Sequence, residues 1–291
     1  MTYQTLTKHP RMGLEILQNC NLLELTAGQI TELKTTLWER GLIVIRNQKL
    51  TASELQEFAQ KTFEDPTLEN RYQSKPIDPE IPLDLQSSGV AILGNVKGLD
   101  RDIIDKYAWQ WHHDKDHLPK TEGLEMNSLY VVMLYGIEVP ETALDGQPHS
   151  TQFIDTIEAY NNLSVRERQK LENLSMYHLF PTILAAENEE IPRKLHPIVS
   201  THKVTGKKGL YLGSDTSILM GMENKLAEAK QFWHELFQKI LEVTPVYSHV
   251  WHPGDIIFWD NSQIMHAGVP YDNTKYRRIA LRAGVVANSI L

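Results

Sequence analysis

A mainly β fold with flanking α-helices is what the sequence predicts, and three observations predict it. Short apolar runs such as 42–45 and 256–259 are bounded by turn and polar residues, the pattern of buried strands. Amphipathic stretches that open on capping boxes, at Thr26 and Thr51, supply helices beside them. No repeat, low-complexity segment or linker interrupts the 291 residues. Residues 1–291 therefore read as one domain, a length that β-barrels with added helices reach as single units.

Each element follows in order. From 26 to 40, Ile30, Leu33 and Leu37 recur at helical spacing, and Gly41 stops the helix before the strand 42–45. A second helix runs from Thr51 to about Phe63 with Leu55, Phe58 and Ala59 on one face. Pro66, Pro76, Pro79 and Pro82 dissolve any period over 64–88, a loop long enough to act as an active-site lid. The strand 90–93 ends at Gly94-Asn95, which puts the Asn95 amide at the rim of its sheet. After a strand at 129–139 and a turn-rich connection at 141–150, helices are expected at 154–162 and from the capping box at Ser164. Strands at 196–199 and 209–212 form a hairpin around 205–208, and 224–243 is the longest helix. Beyond the turn at 253–255 and the strand 256–259, residues 277–286 alternate. Arg278, Ala280, Arg282 and Gly284 share one face; Ile279, Leu281, Ala283 and Val285 share the other.

Composition narrows the function classes. Hydrophobic residues at 41% and charged residues at 23% suit a packed core. A net charge of −8 without a long basic run argues against nucleic acid or an anionic membrane as partner. Cys20 is the single cysteine, which excludes an internal disulfide framework and a zinc site built from several thiolates. The polar start shows no secretory signal, and the longest apolar run, 129–137, is too short to cross a bilayer. A soluble cytoplasmic protein is expected, with a homo-oligomer left open.

The chemistry concentrates in Trp111-His112-His113-Asp114-Lys115-Asp116-His117. In an extended chain His112 and Asp114 project from one face while His113 points away. His266, beyond a strand and turn, is the candidate third ligand. Two imidazoles and one carboxylate on one side of a metal leave its other positions open, the arrangement of non-haem Fe(II) oxygenases, although zinc can use the same donors. The two arginines on one strand face favour iron, because an oxygenase that consumes a dicarboxylate needs a desolvated cation to pair with it. His113, Asp116, His117 and His149 are expected at the rim or in solvent.

Taken together, the 42–45 strand, the Thr51 helix, Trp111-His112-His113-Asp114, His196-Pro197-Ile198-Val199, Gly254-Asp255-Ile256-Ile257-Phe258-Trp259-Asp260-Asn261 and Arg277-Arg278-Ile279-Ala280-Leu281-Arg282 resemble the TauD (taurine dioxygenase) family. These are Fe(II)/2-oxoglutarate-dependent dioxygenases. The resemblance covers most of the chain and implies a double-stranded β-helix, the cupin-like jelly roll, with the metal near one mouth. It implies His112, Asp114 and His266 as iron ligands, and Thr151, Arg278 and Arg282 as partners of 2-oxoglutarate. Asn95, Tyr72 and again Arg282 fall on the substrate side. The implied reaction uses O2 to oxidise an unactivated C–H of a small polar, acidic metabolite and releases succinate and CO2. Hydroxylation is the default outcome, with desaturation or cyclisation close to it. The alternative is a non-catalytic jelly roll that binds metal or a small acid as a sensor.

The chain also departs from its relatives. Pro148-His149-Ser150-Thr151 stands where Gly-Gly-Asp-Thr is frequent, Ser262 where arginine is frequent, and Asp116 and His117 where a small hydroxyl and an aromatic are usual. Retention of Asp114 separates the chain from halogenases, which lack that carboxylate.

Overall fold

Alternation in the apolar strands decides how the layers stack. The structure, a computed structural model, describes residues 1–6, 11–16, 20–63, 90–95, 108–117, 129–180 and 191–286. The expected lid at 64–88, with Tyr72, lies outside the described residues. The strands are β1 (Tyr3–Thr5), β2 (Leu14–Ile16), β3 (Leu42–Ile45), β4 (Ala91–Leu93), β5 (Leu129–Glu138), β6 (Ser150–Asp155), β7 (Ser175–Leu179), β8 (Arg193–Pro197), β9 (Val199–Thr201), β10 (Lys208–Leu210), β11 (Ile218–Leu219), β12 (Tyr247–Val250), β13 (Ile256–Asp260), β14 (Ile264–Gly268) and β15 (Ile279–Val286). The helices are α1 (Ala27–Arg40), α2 (Ala52–Phe63), α3 (Thr156–Asn162), α4 (Val165–Leu171) and α5 (Leu226–Val243). Among the described residues no helix is long and apolar enough to cross a membrane.

A seven-stranded sheet runs β1-β2-β3-β13-β5-β15-β4, antiparallel except for β2 on β3. A three-stranded antiparallel sheet runs β12-β6-β14. Ile43, Ile45, Phe258, Leu281 and Val285 face Leu33, Leu37, Leu55 and Phe58 of α1 and α2. The opposite face of the large sheet, with Leu42, Val44, Val132, Leu134, Ile257 and Trp259, packs on Phe153, Tyr247 and Ile264 of the small sheet. The small sheet's outer residues Ile154 and Met265 meet Ala159 of α3 and Trp233, Phe237 and Ile240 of α5. The period of two in each strand thus supplies two apolar layers from one short sequence. Two smaller sheets, β11-β7-β8 and β10-β9, complete the set.

The capping boxes form as expected at Thr26 with Gln29, Thr51 with Glu54, and Ser164 with Glu167. Other boundaries move. The expected helix at 154–162 begins only at Thr156, because Asp155 ends β6 and its carboxylate caps the Ile157 and Glu158 N–H groups. The expected 196–199 strand divides into β8, which pairs with β7, and β9, which forms the hairpin with β10. Strands β6, β7, β12 and β14 carry more polar or mixed patterns than the apolar runs, so periodicity alone did not mark them.

Candidate metal centre

His112 and His266 meet because their backbones pair. His112 N–H donates to the His266 carbonyl (3.0 Å) and His266 N–H to the His112 carbonyl (3.1 Å), extending the small sheet beyond β14 by one bridge. Residues directly opposite in an antiparallel pair share a face, and the two rings stand 4.2 Å apart. Asp114 arrives differently from the extended-strand expectation. The chain leaves the bridge in a turn, with Lys115 at φ +54, and Asn261 clamps that turn. Asp114 N–H donates to Asn261 Oδ1 (3.0 Å), and Asn261 Nδ2 donates to the Asp114 carbonyl (2.9 Å). His113 does turn away, its Nδ1 donating to the Asn261 carbonyl (2.8 Å).

The three candidate ligands offer donor atoms within 4.8 Å of one another, with His266 Nε2 3.6 Å from Asp114 Oδ2. His112 Nδ1 donates to the Gln110 carbonyl (2.6 Å), so in the neutral ring the lone pair is on Nε2. Burial, followed by the neighbouring His112, pushes His266 well below the ordinary imidazole value and keeps it neutral. Burial alone would raise the Asp114 carboxyl; Arg282, His266 and His112 outweigh it and hold the group below its ordinary value. Arg282 Nη2 lies 3.0 Å from Asp114 Oδ1. Two imidazoles and one carboxylate at this separation fit a divalent transition metal.

A polar line leads away from this centre along the inner face of the small sheet. Phe153 is paired with both His266 and Tyr247, and its ring stacks on His266. One step on, Thr151 is paired with Gly268 and His249. Trp251 Nε1 donates to Thr151 Oγ1 (2.9 Å), which leaves the hydroxyl hydrogen available for another acceptor. A further step reaches His149, whose carbonyl accepts from Trp251 N–H. Arg278 stands just before β15, near enough to His149 for its charge to act on that ring. The expected alternation of 279–285 is present, with the aliphatic residues turned toward the α1 and α2 layer.

Asn95 has its amide engaged by the segment that carries Arg278. Its Oδ1 accepts from Arg278 N–H (2.6 Å), and its Nδ2 donates to the Asn273 and Tyr276 carbonyls (2.9 and 2.8 Å). Gly94 beside it is at φ +153, and a β-carbon there would collide with the Arg278 carbonyl.

The expectation of rim or solvated positions for His113, Asp116, His117 and His149 is corrected: all four are buried. Asp116 Oδ2 accepts from His178 Nδ1 (2.8 Å), and the Asp116 carbonyl accepts from His196 Nε2 (2.8 Å). Tyr211 packs against the rings of His113, His178 and His196. Burial opposes the Asp116 charge, yet His178 and His117 hold its carboxyl far below the ordinary value. Sequence reasoning assigned no role to Asn261, Gln110 or this cluster, whose members are scattered across four segments; only the crowding of imidazole in 112–117 hinted at it.

A profile of the family described as "Taurine catabolism dioxygenase TauD, TfdA family" matches residues 3–283. The chain is 26% identical over 269 residues to the alpha-ketoglutarate-dependent 2,4-dichlorophenoxyacetate dioxygenase of Cupriavidus pinatubonensis, covering 88% of each protein. It is 25% identical over 281 residues to the (S)-phenoxypropionate/alpha-ketoglutarate-dioxygenase of Sphingobium herbicidovorans, covering 90% of this chain and 88% of that one. Its fold is like that of AAD-2, solved in complex with Mn(II) and N-oxalylglycine, with a TM-score of 0.78 over 99% of this chain and 98% of that one at 22% identity.

Proposed function

Because the chain belongs to the TauD/TfdA family of Fe(II)/2-oxoglutarate-dependent dioxygenases, we propose that it oxidises an unactivated C–H bond of a small acidic metabolite, hydroxylation being the default outcome. The two facing sheets are read as the halves of a jelly roll, and residues 1–291 as one catalytic domain. The observation that carries the reading is the convergence of His112, Asp114 and His266 beside Arg282. When bound, Fe(II) supplies O2 activation coupled to decarboxylation of 2-oxoglutarate to succinate and CO2.

The chain's own residues do the positioning. His112 and His266 would offer imidazole nitrogens to the metal, and Asp114 the charge that a dication requires. Thr151, fixed by Trp251, directs its hydroxyl hydrogen at the co-substrate's distal carboxylate, and the Arg278 guanidinium pairs with that carboxylate. Asn95 acts through Arg278, holding the backbone from which it projects. Arg282, paired with Asp114, places positive charge beside the metal centre, where an anionic group of co-substrate or substrate would sit. Tyr72 is retained as a substrate-side candidate on the resemblance alone. An acidic substrate is supported by the phenoxy acids in the names of two relatives and by the Arg282 guanidinium beside Asp114.

Anaerobic addition of Fe(II) and 2-oxoglutarate tests the reading. A visible charge-transfer band is expected, together with succinate release in air that His112→Ala abolishes. Absence of both the band and the succinate overturns it. A panel of small carboxylates and sulfonates, scored by stimulated succinate release, then identifies the substrate class.

A further inference from the structure

Farther along the strand face that carries Phe153 and Thr151 stands an imidazole, His149, where the family pattern has glycine. The Trp251 N–H to His149 carbonyl bond continues the β12–β6 ladder, so His149, Thr151 and Phe153 share one face. Phe153 stacks on the metal ligand His266. Same-face positions lie about 7 Å apart along a strand, so from the position of the metal ligand Thr151 stands about 7 Å on and His149 about 14 Å on.

His149 is only 3% exposed and its ring meets Tyr271 edge-on at 5.2 Å. Its Nδ1 is buried with no hydrogen-bond partner among the described residues. A buried nitrogen in that condition is unfavourable unless a ligand bonds it. Burial first, and the Arg278 charge second, push the ring down to about 3, so it is neutral and carries one N–H at neutral pH. A guanidinium and an imidazole N–H beside one hydroxyl make a trio of donors, which suits a carboxylate and nothing cationic.

We propose that His149 is a specificity residue that donates a hydrogen bond to the distal carboxylate of the 2-oxo acid co-substrate, beside Arg278 and Thr151, and so selects a dicarboxylate over a 2-oxo monoacid. This rests on the reading above that the cavity takes 2-oxoglutarate. No bond is made or broken by His149; it acts in binding, and its absence is felt only by a co-substrate with a second carboxylate.

The test is a titration of Mn(II)-loaded protein, followed by its intrinsic tryptophan fluorescence, with 2-oxoglutarate and separately with pyruvate, which has no distal carboxylate. His149→Leu fills the space without a donor and is expected to weaken 2-oxoglutarate binding on the order of tenfold, leaving pyruvate and Mn(II) binding unchanged. His149→Asn restores an N–H donor and is expected to recover most of the loss. Should His149→Leu fail to fold, His149→Met is measured in the same way. Equal 2-oxoglutarate affinity in the apolar variant and the parent overturns the inference. So do parallel losses for 2-oxoglutarate and pyruvate, which mean packing alone. Parent protein that binds no 2-oxoglutarate overturns the reading of the cavity as well, and that failure is visible before any variant is made.

Discussion

His112 and His266 beside Asp114, and His178 and His196 beside Asp116, are two imidazole–carboxylate groups separated by two residues of chain. Their composition is alike and their geometry is not. In the first group His112 turns Nδ1 onto a backbone carbonyl, and the donor atoms of all three side chains converge. In the second, His178 bonds the Asp116 carboxylate and His196 bonds the Asp116 backbone, so the nitrogens are directed at separate acceptors. A metal needs lone pairs aimed at one point, whereas a structural network needs every donor matched to its own acceptor. The direction of the ring nitrogens, more than histidine content or burial, separates a metal site from the scaffold behind it.

Removing one member from each group should break the comparison most widely. His266→Ala is expected to abolish stoichiometric Mn(II) or Fe(II) binding, measured by metal analysis after gel filtration, while His196→Ala retains it. A similar loss in both variants would mean that the second group also ligates. Next in size is Asn261→Ala, which frees the Asp114 turn without touching a ligand; about a 10- to 100-fold loss of metal affinity is expected. An unchanged Kd would leave the turn ordered by other contacts. His178→Leu removes a donor to a buried carboxylate and is expected to lower urea stability by about 1–3 kcal/mol with metal affinity kept. A loss of metal affinity without a loss of stability would reverse the roles assigned to the two groups.

The same contrast explains what could be read before the structure. The apolar strands β3 and β13, the capped helices α1 and α2, and the alternation around Arg282 follow from local patterns, because burial on one face writes a period into the sequence. His112-x-Asp114 was visible as spacing, and His266 and the arginines became specific only through the resemblance. The Asn261 clamp, the capture of Asn95 by the Arg278 segment and the His178–Asp116–His196 network depend on contacts between residues far apart in the chain. Such contacts leave no period behind. His149 shows the limit in another way: as a polar residue in a turn-rich stretch it reads as solvated, and its burial comes from the β12–β6 ladder that continues past the strand end.

Titration offers the finest test, since buried imidazoles outside the metal centre should resist protonation while the fold persists. Burial pushes His149 down to about 3, assisted by Arg278, and His196 down to about 4, assisted by His178. Both rings have an ordinary value near 6.5 once unfolded. Above that pH neither state binds the proton and stability is fully present. Below it the unfolded chain takes up protons that the fold refuses, so stability falls as pH falls through the interval from about 6.5 to about 4, by up to about 1.4 kcal/mol per pH unit for each ring. Urea midpoints of protein stripped of metal, measured across that interval, should therefore decline toward acid, and His149→Leu should flatten the decline because one of the two rings is gone. A midpoint that holds level down to about pH 4 would show that both rings titrate normally in the fold, and that the direction of their nitrogens is not enforced by burial.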